Sequence, residues 1–157
     1  MKPRRARRAT SAAPLTAFWD TSAIVPLCVL QLQSAPARQA ARVHLRQVVW
    51  WATSVDATSA FHRLAREGEV TTKEVRQALA RLDYLRVRWN EIQPSEEVRH
   101  RAERLLAAHK LRAADSLQLA AALVWCGNHT SGRVFVGADG NVADAAEAEG
   151  FTVIRVL

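Results

Sequence analysis

Short β-prone runs alternate with longer helical patterns along most of this chain, and that alternation constrains the fold more than any other feature. Apolar or β-branched runs occur near residues 16–20, 48–52, 87–92, 133–136 and 152–156. Most of the segments between these runs are long enough for helices and rich in helix-forming residues. Strands joined through helices lie parallel in one sheet that has helices on both faces. We therefore predict an α/β fold, a three-layer α/β/α domain with a central parallel sheet.

Local start and stop signals place the predicted helices. The segment 71–74 has the spacing of a capping box, and Gly68 is typical of a helix end. Thr21 or Ser22 is expected to cap the first helix, and the segment 34–36 is expected to end it. Helices are predicted over 22–33, 37–47, 53–66, 71–86, 95–109 and 113–124, with a last one ending near 149.

The length of 157 residues suits one domain, which we assign to residues 15–157. Residues 1–14 are arginine-rich and are predicted to form a basic, flexible tail. Arginines before an apolar region resemble a secretory signal, but Asp20 and Pro26 interrupt that region. No other segment approaches the ~20 consecutive apolar residues of a membrane span. We therefore expect a cytoplasmic protein without a membrane partner.

The charge balance is strongly basic. The formal net charge is +7 and the sequence pI is about 10.6. Such a surface attracts polyanions, although it says little about fold. Nucleic acid is therefore the first partner to consider.

Four aspartates lie at predicted element ends. Asp20 and Asp139 each follow a predicted strand, while Asp56 and Asp115 lie in the first turns of predicted helices. In a parallel α/β sheet these positions share one edge, where ligands usually bind. Clustered carboxylates repel one another unless a cation neutralises them, and oxygen ligands favour Mg²⁺ or Mn²⁺. For Asp20, capping of the following helix is an equally open explanation.

Four motifs in these segments resemble those of PIN-domain ribonucleases, in particular the VapC-type toxins of bacterial toxin–antitoxin pairs. The first is D-T-S-A at residues 20–23, and the second is D-x-x-S-A-x-x-R at 56–63, where the family usually begins with Glu. The most specific is L-R-x-x-D-x-L-x-L-A at 111–120. A closing strand, acid and helix segment follows at 135–150. The resemblance spans about residues 16–157.

The resemblance implies an acidic site formed by catalytic Asp20, Asp56, Asp115 and Asp139. Of these, Asp20, Asp115 and Asp139 would hold the metal, Mg²⁺ or Mn²⁺. Asp56 is one methylene shorter than the usual Glu. Gly137 stands where the family often has Thr or Ser, which removes a hydroxyl that would orient a carboxylate or a water.

The function implied by the resemblance is a metal-dependent endoribonuclease toxin, a hydrolase that cleaves RNA phosphodiester bonds and is inhibited by a cognate antitoxin. A homodimer is also implied. Two alternatives remain open at this point. One is a catalytically weak PIN-like module that binds RNA or protein, and the other is a related nuclease that acts on DNA or in RNA maturation.

Several other residues have a structural and a functional interpretation. Trp50 and Trp51 are suited to stacking a base, but one buried and one partly exposed ring is the simpler expectation. Arg112 is expected to pair with an acidic residue or to contact a phosphate. Cys28 and Cys126 lie in apolar sequence and are expected to be reduced core residues. The histidines lack paired metal spacing and are expected to be surface or packing residues: His44, His62, His100, His109 and His129.

Overall fold

The computed structural model of the protein describes residues 15–138 and 140–157. The predicted tail, 1–14, and the predicted site residue Asp139 lie outside the described residues. The strands are β1 (Thr16–Trp19), β2 (Arg46–Trp50), β3 (Asn90–Ile92), β4 (Val134–Gly137) and β5 (Thr152–Arg155). The helices are α1 (Thr21–Cys28), α2 (Ser34–Val43), α3 (Thr53–Arg66), α4 (Thr72–Arg86), α5 (Glu96–Ala108), α6 (Ala113–Trp125) and α7 (Gly140–Ala148).

The strands form one parallel sheet in the order β3-β2-β1-β4-β5. Strand β1 is central and pairs with β2 on one side and with β4 on the other. The chain leaves β1 toward β2 and leaves β4 toward β5 on the opposite side, so the strand order reverses between the carboxyl ends of β1 and β4. The predicted three-layer α/β/α fold is confirmed.

Alternate side chains of β1 pack into different cores. Trp19 packs with residues of α1, α2, α3 and α4 on one face of the sheet. Phe18 packs with residues of α5, α6 and α7 on the other face, and its ring stacks on Phe135 of β4 with centroids 5.6 Å apart. This period-two alternation explains why Ala17, Phe18 and Trp19 are fully buried although the strand is short.

The first two helices differ from the prediction. Helix α1 ends at Cys28, and Ser34 begins α2 where the sequence predicts a break. The buried Ser34 hydroxyl donates to the Pro26 carbonyl at 2.7 Å and accepts from the Gln31 amide at 2.8 Å. These bonds hold the short connection together. Pro36 is tolerated because it lies in the first turn of α2, where its missing N–H has no helical partner to lose.

Two further differences concern local geometry. Neither Thr21 nor Ser22 caps α1, because Asp20 itself is the N-cap. Residues 87–89 are a turn after α4, and the third strand begins only at Asn90. The predicted capping box of α4 is confirmed, since the Thr71 and Glu74 side chains each bond the other's backbone amide.

Both cysteines are buried and free, as predicted. Burial raises the pKa of the Cys28 thiol to about 12, despite the opposing charge of Arg81. The Cys28 side chain is therefore protonated at neutral pH and packs as an apolar group. Within the described ranges, no helix is long and apolar enough to cross a membrane.

Candidate functional site

A cleft of about 480 Å³ opens beside the carboxyl end of β1. Three carboxylates line it, and each comes from the start of a different helix. Asp20 precedes α1, Asp56 lies in the first turn of α3, and Asp115 lies in the first turn of α6. The lining also includes Thr21, Ser22, Val25, Gln31, Gln33, Ser59, Ala60, Arg63, Ala114, Gln118 and Ala138.

Asp20 is buried and held on several sides. Its Oδ2 accepts the Ser22 backbone amide at 3.0 Å and also accepts the Ser22 hydroxyl. The Ser22 hydroxyl oxygen in turn accepts the Ala138 amide at 2.9 Å. The Asp20 amide donates to the Val136 carbonyl at 2.9 Å. Capping and a functional role are thus compatible, because one carboxylate both caps α1 and lines the cleft.

Asp56 is half-buried and also lines the cleft. Its Oδ2 accepts from the Gln118 amide nitrogen at 3.2 Å. Burial raises the pKa of the Asp56 carboxyl, the Gln118 hydrogen bond opposes that rise, and the negative charge of Asp115 adds to it. The negative charge of Asp115 disfavours the ionised form of Asp56, as expected for two carboxylates that line one cleft.

Three of the predicted acids, Asp20, Asp56 and Asp115, therefore share one cleft. Asp139 lies outside the described residues, but its neighbour Ala138 lines the same cleft. The predicted edge of the sheet is where these side chains meet.

Gly137 lies beside this cleft, and its surroundings explain the absence of a side chain. A Cβ atom at Gly137 would lie 3.2 Å from Phe135 Cε1, 3.6 Å from Asp20 Cβ and 3.7 Å from Ser22 Oγ. The space that a larger residue would need is thus partly filled by Phe135 and Ser22. The hydroxyl that bonds the Asp20 carboxylate here belongs to Ser22.

Sequence reasoning did not select Gln118 for the site. It is a buried amide on α6, and its nitrogen donates to Thr21 Oγ1 at 2.6 Å and to Thr53 Oγ1 at 3.4 Å as well as to Asp56. The available signal was that Gln118 is the single polar residue within the apolar run 117–125. Arg63 was noticed only as part of a motif, and it places an exposed cation at the cleft.

The tryptophans, Arg112 and the histidines considered in the sequence do not line this cleft. Trp50 is buried and Trp51 is half-exposed, as predicted, and neither ring lines the cleft. Arg112 is exposed and forms no ion pair with a residue in the described ranges, so the expected structural pairing is not found there. His44 is buried and His109 bonds Glu149, which are packing roles.

The chemistry of the cleft fits a hard cation. Its acidic groups are all carboxylates, the ligands that Mg²⁺ and Mn²⁺ prefer. The repulsion between Asp56 and Asp115 is of the kind that a divalent cation relieves. Among the described residues, no group of three or more His, Cys, Asp or Glu side chains is gathered closely enough to hold a metal ion. The residues that would hold one are Asp20 and Asp115, together with the predicted Asp139.

Comparisons with known proteins support the fold. No protein-family profile matches the chain, and no curated protein matches its sequence. A similar fold occurs in the crystal structure of PAE2754 from Pyrobaculum aerophilum. The TM-score is 0.58 at 16% sequence identity, and the match covers 90% of this chain and 91% of that chain. The likeness therefore extends over nearly the whole domain.

Proposed function

We propose that this protein is a Mg²⁺- or Mn²⁺-dependent endoribonuclease with a PIN-like fold, acting as the toxin of a toxin–antitoxin pair. The observation that carries the proposal is the convergence of Asp20, Asp56 and Asp115 on one cleft at the carboxyl edge of a parallel sheet. These residues stand at the acidic positions of the motifs that resemble the VapC-type toxins. The strongly basic composition supports a polyanionic substrate.

Each side chain has a distinct task in this proposal. Asp20, held by Ser22, and Asp115 provide fixed carboxylate oxygens for the cation. Asp56, held by Gln118, would accept a hydrogen bond from the attacking water and orient it. Arg63 contributes a cation for a substrate phosphate at the cleft. A divalent cation held by these carboxylates would supply polarisation of the phosphoryl oxygen and a lowered pKa for a water molecule.

Basic residues of the protein attract RNA, whereas the acidic cleft repels its phosphates. The excess of Lys and Arg over Asp and Glu in the sequence attracts the polyanion. The cleft itself is acidic and repels phosphate in the absence of a cation. Cleavage is therefore expected to depend on the metal even though RNA binding persists without it.

The biological setting belongs to the same proposal. The resemblance to VapC-type toxins implies a cytoplasmic protein, a homodimer, and a cognate antitoxin protein that restrains the nuclease. A reading frame of an antitoxin type beside the coding sequence, and co-purification of its product with this protein, would support this part of the proposal.

The first test is cleavage of a mixed pool of structured RNA by purified protein with Mg²⁺, Mn²⁺ or EDTA. We expect cutting with either metal, no cutting with EDTA, and none by the folded Asp115→Asn variant. Duplex and single-stranded DNA of matched sequence serve as competitors, since effective competition by DNA would indicate a related nuclease of another specificity. Absence of cutting by folded, antitoxin-free protein under every condition would refute the enzymatic proposal.

A second candidate, a catalytically weak module that binds RNA or protein, is favoured by the observations at Asp56. Asp is shorter than the Glu of the resembled motif, and its Oδ2 is already engaged by Gln118. For such a module we expect RNA binding with equal affinity in Mg²⁺ and in EDTA, and no cleavage. The Asp56→Glu variant then tests whether the shorter Asp side chain is the reason for the missing cleavage. If it is, the variant is expected to cut RNA.

A further inference from the structure

The amide of Gln118 joins the parts of the cleft that carry its acids. Its nitrogen contacts the first residue of α1, Thr21 Oγ1, at 2.6 Å and the first residue of α3, Thr53 Oγ1, at 3.4 Å. The same nitrogen contacts Asp56 Oδ2 at 3.2 Å. Gln118 itself lies on α6, one turn after Asp115. A single side chain thus connects the starts of α1 and α3 to the acid-bearing end of α6.

The Asp56 carboxylate explains why the Gln118 amide is oriented with its nitrogen toward that acid. Gln118 is only 2% exposed, and its Oε1 is buried without a hydrogen-bond partner among the described residues. The hydroxyls of Thr21 and Thr53 can each donate or accept. An ionised carboxylate only accepts, so it requires the nitrogen to face it. As a consequence, the Gln118 side-chain carbonyl oxygen has no hydrogen-bond partner among the described residues, which costs free energy. An amide that served only to fill space would have no reason to bear this cost.

We propose that Gln118 is a positioning residue, which fixes the Asp56 carboxylate in the cleft and sets the starts of α1 and α3 against α6. The proposed consequence for metal affinity and cleavage rests on the function proposed above, whereas the Gln118–Asp56 contact is tested without it. Gln118 lines the cleft but acts through Asp56, and loss of its amide would leave that carboxylate free to change rotamer.

The contact is tested first by NMR of the metal-free protein. The Gln118 side-chain NH₂ resonances are expected to shift on Asp56→Ala. The matched control is Asp144→Ala, because Asp144 is an exposed carboxylate bonded to Arg155 away from the cleft. Resonances that stay in place with Asp56→Ala, or that move equally with Asp144→Ala, would overturn the proposal.

The consequence is tested by Mn²⁺ titration of Gln118→Met, which keeps the side-chain length and removes the amide. Gln47→Met is the matched control, because Gln47 is also buried and bonded, in its case to Trp89 Nε1 at 2.8 Å, outside the cleft. We expect Gln118→Met to bind Mn²⁺ severalfold more weakly, because an Asp56 carboxylate that is free to change rotamer no longer keeps its negative charge at the cleft. In an Asp56→Ala background the same change should have little further effect.

The outcomes separate the two proposals. If the wild-type protein binds no Mn²⁺ while the Gln118 resonances respond to Asp56→Ala, the positioning contact stands and the proposed metal-dependent function fails. If the wild-type protein binds Mn²⁺ and Gln118→Met binds it as tightly as Gln47→Met does, the positioning role is overturned and the proposed function stands. Circular dichroism of every variant checks that the fold is retained.

Discussion

Two partly buried carboxylates in this protein, Asp56 and Glu149, have pKa shifts of opposite direction. Burial raises the pKa of both groups. At Glu149 the hydrogen bonds and charges of Arg104 and His109 outweigh burial, so the pKa is lowered overall. At Asp56 one neutral amide opposes burial while the charge of Asp115 reinforces it, so the pKa stays raised.

The difference distinguishes a carboxylate that is paired with cationic side chains from one that is bonded by a neutral amide. Glu149 follows α7 and joins it to α5 and the segment after it, through Arg104 at 3.0 Å and His109 at 2.8 Å. These partners satisfy its charge within the fold. The charge of Asp56 faces another acid across an open cleft, an arrangement that favours binding of a cation over stability of the free protein.

The largest expected contrast concerns activity. Asp115→Asn removes one charge from the cleft and should lower RNA cleavage by at least about 100-fold, the scale typical of losing a group placed for electrostatic stabilisation or proton transfer. Glu149→Gln should leave the cleavage rate unchanged. Rates are measured under single-turnover conditions with circular dichroism as the check on folding. Equal losses in the two variants would remove the functional distinction.

Stabilisation by a bound metal ion should also distinguish Asp115 in the cleft from Glu149 outside it. A ligand that binds only the folded state stabilises it by about 2.7 kcal/mol at 100 times its Kd. We therefore expect Mn²⁺ to raise the melting temperature of the wild-type protein and of Glu149→Gln. Asp115→Asn should show little or no rise. A rise of equal size in Asp115→Asn would place the stabilising ion somewhere other than the cleft.

In the absence of metal, substitution of Glu149 should affect the free energy of unfolding more than substitution of an acid in the cleft. Glu149→Gln weakens the hydrogen bonds to Arg104 and His109 and should lower the free energy of unfolding by about 1–3 kcal/mol. Asp56→Asn keeps an acceptor for Gln118 and removes the repulsion with Asp115, so it should be neutral or stabilising. Urea unfolding in EDTA measures both changes. A destabilised Asp56→Asn would show that its charge has a partner in the fold.

The smallest expected effect is the pH dependence of these differences. The lowered pKa of Glu149 means that its stabilising contribution is complete above its ordinary value of 4.5 and is lost as the pH falls through the folded-state pKa. The raised pKa of Asp56 means that its contribution is greatest below 3.8 and is lost as the pH rises through a folded-state pKa above that value. The stability difference between wild type and Glu149→Gln should therefore grow with pH.

The stability of Asp56→Asn relative to wild type should instead increase over the same acidic range, because only the wild-type protein loses stability as Asp56 ionises. Urea unfolding at stepped acidic pH, in the absence of metal, measures both differences. Parallel curves for the two variants would mean that the surroundings of Asp56 and Glu149 are electrostatically alike, contrary to the comparison above.

Much of the fold was predictable because it depends on local patterns. The Phe18 and Trp19 run, followed by Asp20 and a helix, identifies β1 and the edge of the sheet without knowledge of its neighbours. The strand order was not predictable, because a short apolar strand carries no record of which strands flank it. The start of α2 at Ser34 was missed because the bonds that hold Ser34 lead to Pro26 and Val29, which local propensity does not represent.

The candidate site was predictable only in part, for a related reason. Acids at element ends are visible in the sequence, whereas their supporting residues depend on contacts between distant segments. Gln118 bonds Thr21 and Asp56 across 97 and 62 positions of sequence. Glu149 likewise meets His109 across 40 positions. Such partners become apparent only after the helices have been placed on the sheet.

The central place of β1 has a consequence for how the molecule is assembled. The half-sheet β1-β2-β3 is complete in sequence by Ile92, whereas the other edge of β1 is paired only after Val134–Gly137 has been synthesised. Folding during synthesis begins with the earlier segments, and contacts between distant segments form more slowly. A nascent chain can therefore hold a folded half-sheet before it has the wall of the cleft formed by Ala138 and α6. The cleft is therefore completed only after the half-sheet β1-β2-β3 has been synthesised.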